Sequence, residues 1–423
     1  MRHSLRPTGR RRRPARHALV VCLLCVVSFA SAAGAQARRH RPATSARKLA
    51  HATPAPKPLR RAPEVPQPVG AALAAPLRVC AGGDVTLGTN LDLAWERAAD
   101  DSMRRVYGLS PAPDSLARQL SPLFAGADLA LINVEGAIGD GPAPRKCKRG
   151  SHSCFAFRQP TSTAAALRHA FDSTTEVVGN VANNHSHDAG AAGRETTIAL
   201  LDQAGVHVTG VDTIATPVAV PSGDTVAVLG FYTDASTPDA RDLAAVHRYV
   251  SRAVERWGTV IVTMHLGAEG PGAQRTRNAN ELFLKEPRGN PVAFAEAAFN
   301  AGATLVIGHG PHVLRAAEWH ADRLVLYSLG NLLTYGPFKL HDPTDRGAVA
   351  CATIDSVRHV ASAELRATKQ IWTGVLLPDS TARAFRLVDS LSALDFPETG
   401  VTVDSTGALG RRAARGTADR TPR

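Results

Sequence analysis

The sequence predicts a layered α/β domain between two dissimilar ends. Short apolar, β-branched runs alternate with longer helical patterns from Leu77 onward, the order expected of a sheet flanked by helices. The two ends carry the positive charge and almost none of the bulky apolar residues of a core, apart from one apolar run near the start. Five of the apolar runs end in a residue able to bind a metal ion, and ligands in open α/β sheets sit beyond the carboxyl ends of strands.

The elements follow in order. Residues 1–37 read as a secretory signal: an Arg-rich stretch from Arg2 to Arg16, an apolar run from Ala18 to Ala30, and Ala33-Gly34-Ala35 as an A-x-A cleavage site. The run is short for a membrane span. An uncleaved N-terminal anchor remains the alternative, and either reading places the folded part outside the cytoplasm. Residues 38–76, rich in Pro, Ala and Arg, read as a disordered linker. Residues 77–395 form the expected domain, long enough for one large core. Residues 396–423 read as a disordered basic tail.

Charge follows this division. The chain is net +12, but residues 1–63 hold fifteen Lys and Arg and no acid, and residues 64–400 are net −6. The domain therefore offers no basic face for nucleic acid, and no nucleic-acid partner is expected. Of six cysteines, Cys22 and Cys25 fall in the signal. Cys147 and Cys154 lie in a polar stretch and read as a loop disulfide in an oxidising compartment, while Cys80 and Cys351 lie in apolar runs and read as buried thiols.

Within the domain, strands are expected at 78–81, 129–134, 176–181, 225–231, 259–264, 305–307, 324–327 and 347–354. Helices are expected at 115–125, 161–171, 193–204, 241–257 and 291–300. The runs 370–376 and 384–388 read as further β-like segments, a closing sheet.

The chemistry lies at the strand ends. Asp84 follows two glycines, which let the chain turn; taken alone it serves equally as a turn or helix-cap residue. Glu135 closes an apolar strand, where a buried carboxylate needs a cation or an Arg. Asn183-Asn184-His185 opens a tight loop that also carries Asp188, and the same residues suit an Asx-turn. His265 ends a strand. Gly308-His309-Gly310-Pro311-His312 places two imidazoles three apart in a rigid loop. Together Asp84, Glu135, Asn184, His185, His265, His309 and His312 mix carboxylate, amide and imidazole donors, a set suited to Mn, Fe or Zn rather than Ca or Mg. Two ions about 3.5–4 Å apart could share a carboxylate and activate a water. No P-loop, nucleophile elbow or dinucleotide fingerprint competes.

These segments resemble the CapA family of poly-γ-glutamate capsule-biosynthesis proteins, of the metallophosphatase-like superfamily. The resemblance is carried by Gly83-Asp84-Val85-Thr86-Leu87-Gly88, Asn133-Val134-Glu135, Ala182 to Gly190, His265-Leu266-Gly267-Ala268-Glu269, Gly308 to Leu314 and Tyr327-Ser328-Leu329-Gly330-Asn331, in family order. It implies a four-layer αββα metallophosphatase-like sandwich. It also implies a role in capsule polymer synthesis or export, with an anionic polymer or phosphorylated envelope substrate and a membrane export assembly as partners. On this reading Asp84, Glu135, Asn184, His185, His265, His309 and His312 are metal ligands. His265 and His312 are the catalytic pair, His312 as ligand or general acid, and Glu269, Asn331 and Asp188 line the substrate site. The chain departs from the family where His-His-Pro-His is common and Gly310 stands at the second position, and the metallophosphoesterase Asp-x-His opening is absent. One ion and two ions both remain open, as do a non-catalytic scaffold subunit and a secreted phosphoesterase unrelated to capsule.

Overall fold

The computed structural model of the chain describes residues 72–141 and 155–412. The signal, nearly all of the linker, the Cys147–Cys154 pair and the last eleven residues lie outside the described residues.

Two sheets stack in the middle of the domain. The larger has eight strands. Its order runs Val375–Pro378, Val360–Trp372, Arg346–Ile354, Leu77–Leu87, Leu129–Val134, Glu176–Asn180, His207–Thr209, with Asn331–Tyr335 also paired to Leu77–Leu87. The smaller has six strands in the order Ala317–His320, Arg323–Leu326, Leu305–His309, Val260–His265, Thr225–Phe231, Thr216–Ala219. Alternation along the strands sorts the side chains into layers. Val79, Leu129 and Leu131 of the large sheet meet Val228, Ile261 and Ile307 of the small one in a shared apolar layer. The opposite faces carry helices. Ala130, Ile132 and Val177 pack beneath Leu116, Leu167 and Leu201, while Leu229, Val262 and Val306 pack beneath Val246, Val250 and Phe294. The result is the helix–sheet–sheet–helix sandwich that the family resemblance implies.

The long helices obey local rules. Leu243–Trp257 starts where Asp242 accepts from Ala245 N, and buries Val246, Val250, Ala253 and Val254 on one stripe. Pro291–Asn300 starts on Asn290, whose side chain accepts from Val292 N and Ala293 N, with Pro at the first turn. No helix among the described residues is long and apolar enough to cross a membrane.

Four expectations change. The strand expected to stop before Asp84 runs on to Leu87, with register shifts on either side of Asp84. The run at 384–388 belongs to the helix Arg383–Asp395, whose buried Ala384, Val388 and Leu391 fall at helical spacing. The tail expected from residue 396 is structured as far as Arg412: Val401–Val403 pairs with Leu409–Arg411, and Val401 and Leu409 join the apolar layer between the sheets. Cys80 and Cys351 form a disulfide rather than free thiols, because the antiparallel register sets them directly opposite each other.

Candidate metal centre

Parallel register gathers the polar strand ends. In the large sheet Asp84 lies beside Asn133, and Asn133 beside Asn180. In the small sheet His265 lies beside His309. The two rows meet at the same end of the sandwich. The kink around Asp84 depends on close backbone approach: a Cβ on Gly83 would stand 1.9 Å from the Gly330 carbonyl oxygen, so only glycine fits.

Asp84, Glu135 and His265 each offer a ligand atom within 4.8 Å of the others, and all three are buried. Three further imidazoles surround them. His309 Nδ1 lies 3.9 Å from Asp84 Oδ1, His185 Nε2 3.8 Å from Glu135 Oε1, and His312 Nδ1 2.8 Å from Asp84 Oδ2. Glu135 Oε1, His265 Nε2 and both nitrogens of His309 are buried without a hydrogen-bond partner among the described residues. Leaving such atoms unpaired is costly, and a divalent cation would satisfy them together. The donor set therefore fits a borderline divalent metal.

Electrostatics reinforces this. Burial works to raise the Asp84 carboxyl, yet His312, His265 and His309 outweigh it and hold it at about 2. Burial, and then the Asp84 charge, push Glu135 well above the ordinary carboxylic range. Burial lowers His309 to about 4 and His265 well below its usual value, so both imidazoles keep lone pairs for a cation at neutral pH. Burial also acts to lower His312, but Asp84, Glu269 and Glu135 raise it to about 10.

A supporting layer fixes the ligands. Asn133 Nδ2 donates to Asp84 Oδ1 at 2.8 Å and also to Glu135. Its carbonyl accepts from Asn180 Nδ2 at 3.0 Å and Asn183 Nδ2 at 3.1 Å. Asp188 Oδ2 lies 2.6 Å from His185 Nδ1 and accepts from Phe157 N at 2.6 Å, an arrangement that turns His185 Nε2 toward Glu135. Asp188 is buried beneath the site, so it positions His185; the expected substrate contact is corrected. Asn331 Oδ1 lies 3.0 Å from His312 Nδ1, and its amide donates to the His312 and Thr344 carbonyls.

The cluster sits at the floor of a cleft of about 1000 Å³. Asn184, His185, Glu269, His312 and Asn331 reach its wall. Asn133 and Arg288 escaped sequence reasoning as functional residues. Asn133 stood two residues before Glu135 and was legible as its same-face neighbour. Arg288, whose side chain is 4% exposed, lines the cleft and meets Glu269 Oε1 at 2.9 Å. It lies far from any quoted motif.

Gly310 also finds its reason. Its φ is +110°, and a Cβ there would stand 3.1 Å from His265 Cδ2. A second histidine at this point would be strained and would crowd His265.

Comparison with known proteins agrees. The PGA biosynthesis protein CapA of Bacillus subtilis (strain 168) is 24% identical over 237 residues, 52% of this chain and 57% of the relative. The capsule biosynthesis protein CapA of Bacillus anthracis is 28% identical over 242 residues, 52% of this chain and 54% of the relative. The match thus spans about half the length of these curated relatives. Among solved structures, a 5'-nucleotidase precursor from Thermus thermophilus superposes at a TM-score of 0.34 with 12% identity, over 76% of this chain and 59% of that one. A purple acid phosphatase from yellow lupin (Lupinus luteus) seeds gives a TM-score of 0.32 with 10% identity, over 73% and 54%. Both overlaps are too loose to argue from. The family model of the bacterial capsule synthesis protein PGA_cap matches residues 78–335, more than half the chain and the whole run from Asp84 to Asn331, and the chain belongs to that family.

Proposed function

We propose that the chain serves capsule-polymer synthesis or export outside the cytoplasm, with a divalent-metal site of metallophosphoesterase type at the floor of its cleft. One observation carries the reading: Asp84, Glu135 and His265 converge, buried, with three more imidazoles around them. Mn, Fe or Zn, as one ion or two, suits these donors. The substrate is an anionic polymer of poly-γ-glutamate type or a phosphorylated envelope intermediate. The names of the Bacillus relatives support the capsule role. The Cys80–Cys351 disulfide supports an oxidising compartment, in keeping with the N-terminal signal.

Asp84, Glu135, His185, His265 and His309 would hold the ion, with Asn184 beside them at the cleft wall. A bound divalent cation supplies Lewis acidity to a phosphoryl or carbonyl oxygen. His312 keeps Nδ1 against Asp84, which leaves Nε2, 3.8 Å from Glu269 Oε2, to give a proton to a leaving group. Glu269 and Arg288, joined at 2.9 Å, set the polarity of the wall above.

Metal analysis of the purified protein tests the site. Near-stoichiometric Mn, Fe or Zn is expected in the wild type and is lost in Asp84→Ala; a metal-free wild type that takes up none of the three sinks the proposal. A second reading, a polymer-binding subunit without turnover, draws on Gly310, which stands where the family resemblance implies an imidazole. It predicts that His265→Ala leaves export intact, whereas hydrolysis of an aryl phosphate, abolished by the same change, rules it out.

A further inference from the structure

The cleft above the metal centre is unusually aromatic for this chain. The whole sequence has twelve Phe and five Tyr, and four of those Phe and one Tyr line this single cleft. Their arrangement is ordered. Phe157 stacks on Phe338 with ring centroids 4.6 Å apart and planes 26° apart. Phe155 also stacks on Phe157, with ring centroids 6.4 Å apart and planes 17° apart. Phe157 itself is buried, packs against the His185 ring at 4.7 Å, and is tied through its backbone N to Asp188. The row is therefore anchored to a metal ligand and its orienting carboxylate. Phe155 stands 53% exposed at its outer end, a position that core packing does not explain.

The cleft lining also carries charge. The Arg288 guanidinium lies 5.6 Å from the Tyr232 ring centroid and 5.5 Å from that of Phe283. Its Nη2 contacts Glu269 Oε1 at 2.9 Å and Glu286 Oε2 at 3.5 Å, while Nε is buried without a hydrogen-bond partner among the described residues. A guanidinium near two rings in a cleft lining, with Nε unpaired among the described residues, suits a carboxylate or phosphate oxygen.

We propose that this cleft binds an anion borne on a ring, with the ring laid against the exposed part of this aromatic row and the anionic group turned toward Arg288 and the cluster at the floor. A γ-glutamyl chain offers methylenes between carboxylates and no flat face, so it leaves the aromatic row without a use. A phosphorylated sugar or a nucleotide uses both the rings and the guanidinium. Aromatic side chains take any ring with a π or C–H face. The inference rests on the metal-cleft reading and adds the substrate class to it.

Calorimetric titration of the full chain loaded with Mn²⁺ tests it, with glucose 1-phosphate, adenosine 5'-monophosphate, glycerol 3-phosphate and inorganic phosphate as probes. The two ring-bearing esters are expected to bind at least about tenfold tighter than glycerol 3-phosphate. Phe338→Leu and Phe155→Ala should erase that difference and leave inorganic phosphate binding unchanged. Tighter glucose 1-phosphate identifies a sugar, tighter adenosine 5'-monophosphate a heteroaromatic ring, and both support the class. Equal binding of ring and ringless esters, or aromatic variants that keep the wild-type preference, overturns the inference while the metal reading stands. A protein that takes up neither Mn²⁺ nor phosphate overturns both.

Discussion

His312 Nδ1 lies 2.8 Å from Asp84 Oδ2, and the residue holds this contact in a left-handed backbone conformation, at φ +56°. Histidine enters that region infrequently, and residues kept there cluster at functional sites. In the metal-free protein His312 is the main partner of a fully buried carboxylate.

His312→Ala should therefore cost about 3 kcal/mol in the metal-free protein, the scale of leaving a buried charge unpaired. The cost should shrink in the metal-loaded protein, where a cation satisfies Asp84. Chemical denaturation with and without Mn²⁺ reads this directly, and an equal loss in both states shows that Asp84 does not face the ion.

Asn133 ties the two carboxylates together, since its amide donates to both Asp84 and Glu135. Asn133→Ala should weaken metal affinity by about 10–100-fold, as loss of an outer-shell partner does. Asp188→Ala should weaken it comparably by freeing His185 to rotate. Competition against a chelator of known affinity measures both, and wild-type affinity in either variant removes that residue from the site.

Much of this was legible in the sequence because the donors sit at strand ends, and strands announce themselves by apolar, β-branched runs. Asp84, Glu135, His185, His265, His309 and His312 all emerged that way. What stayed hidden depends on registration between distant segments. The Cys80–Cys351 bond links residues 271 apart that face each other only once Leu77–Leu87 pairs with Arg346–Ile354. Arg288 enters the cleft from a hairpin with no motif of its own. The helix Leu93–Ser102 buries only Ala99, with Trp95 partly buried against the core, so no apolar run marks it in the sequence. Asp188 lay in a quoted motif, but its role depended on which way its side chain turned.

Gly310 makes a prediction about the loop between His309 and His312. Its φ of +110° is strained for any L side chain, and a Cβ would meet the His265 ring and Leu266 N, each at 3.1 Å. Gly310→Ala should destabilise the protein by about 1–3 kcal/mol, and Gly310→His should do so without restoring faster phosphoester hydrolysis. A thermal melt and an aryl phosphate assay decide it. A Gly310→His variant as stable as wild type, with a gain in turnover, means that the loop readily accepts a further imidazole.

Away from the cleft, Glu318 gives the fold an acid-sensitive joint. It is buried and accepts from Tyr327 Oη at 2.8 Å and Thr399 Oγ1 at 2.6 Å, with His320 Nε2 at 3.1 Å. Burial acts to raise its carboxyl, but His320, Thr399 and Tyr327 outweigh it, and the folded-state value lies below the ordinary 4.5. A depressed carboxylate contributes stability that is fully present above the unfolded value and is lost as pH falls through the folded one. Glu318→Gln should therefore lower the urea midpoint at pH 7, and the gap to wild type should close as the pH is taken below the ordinary 4.5 and through the lower folded-state value. Because Thr399 follows the helix Arg383–Asp395, the same change should loosen the Val401–Arg411 hairpin first, which amide exchange would report. A gap between the two proteins that stays constant from pH 7 to pH 3 shows that Glu318 contributes through packing rather than charge.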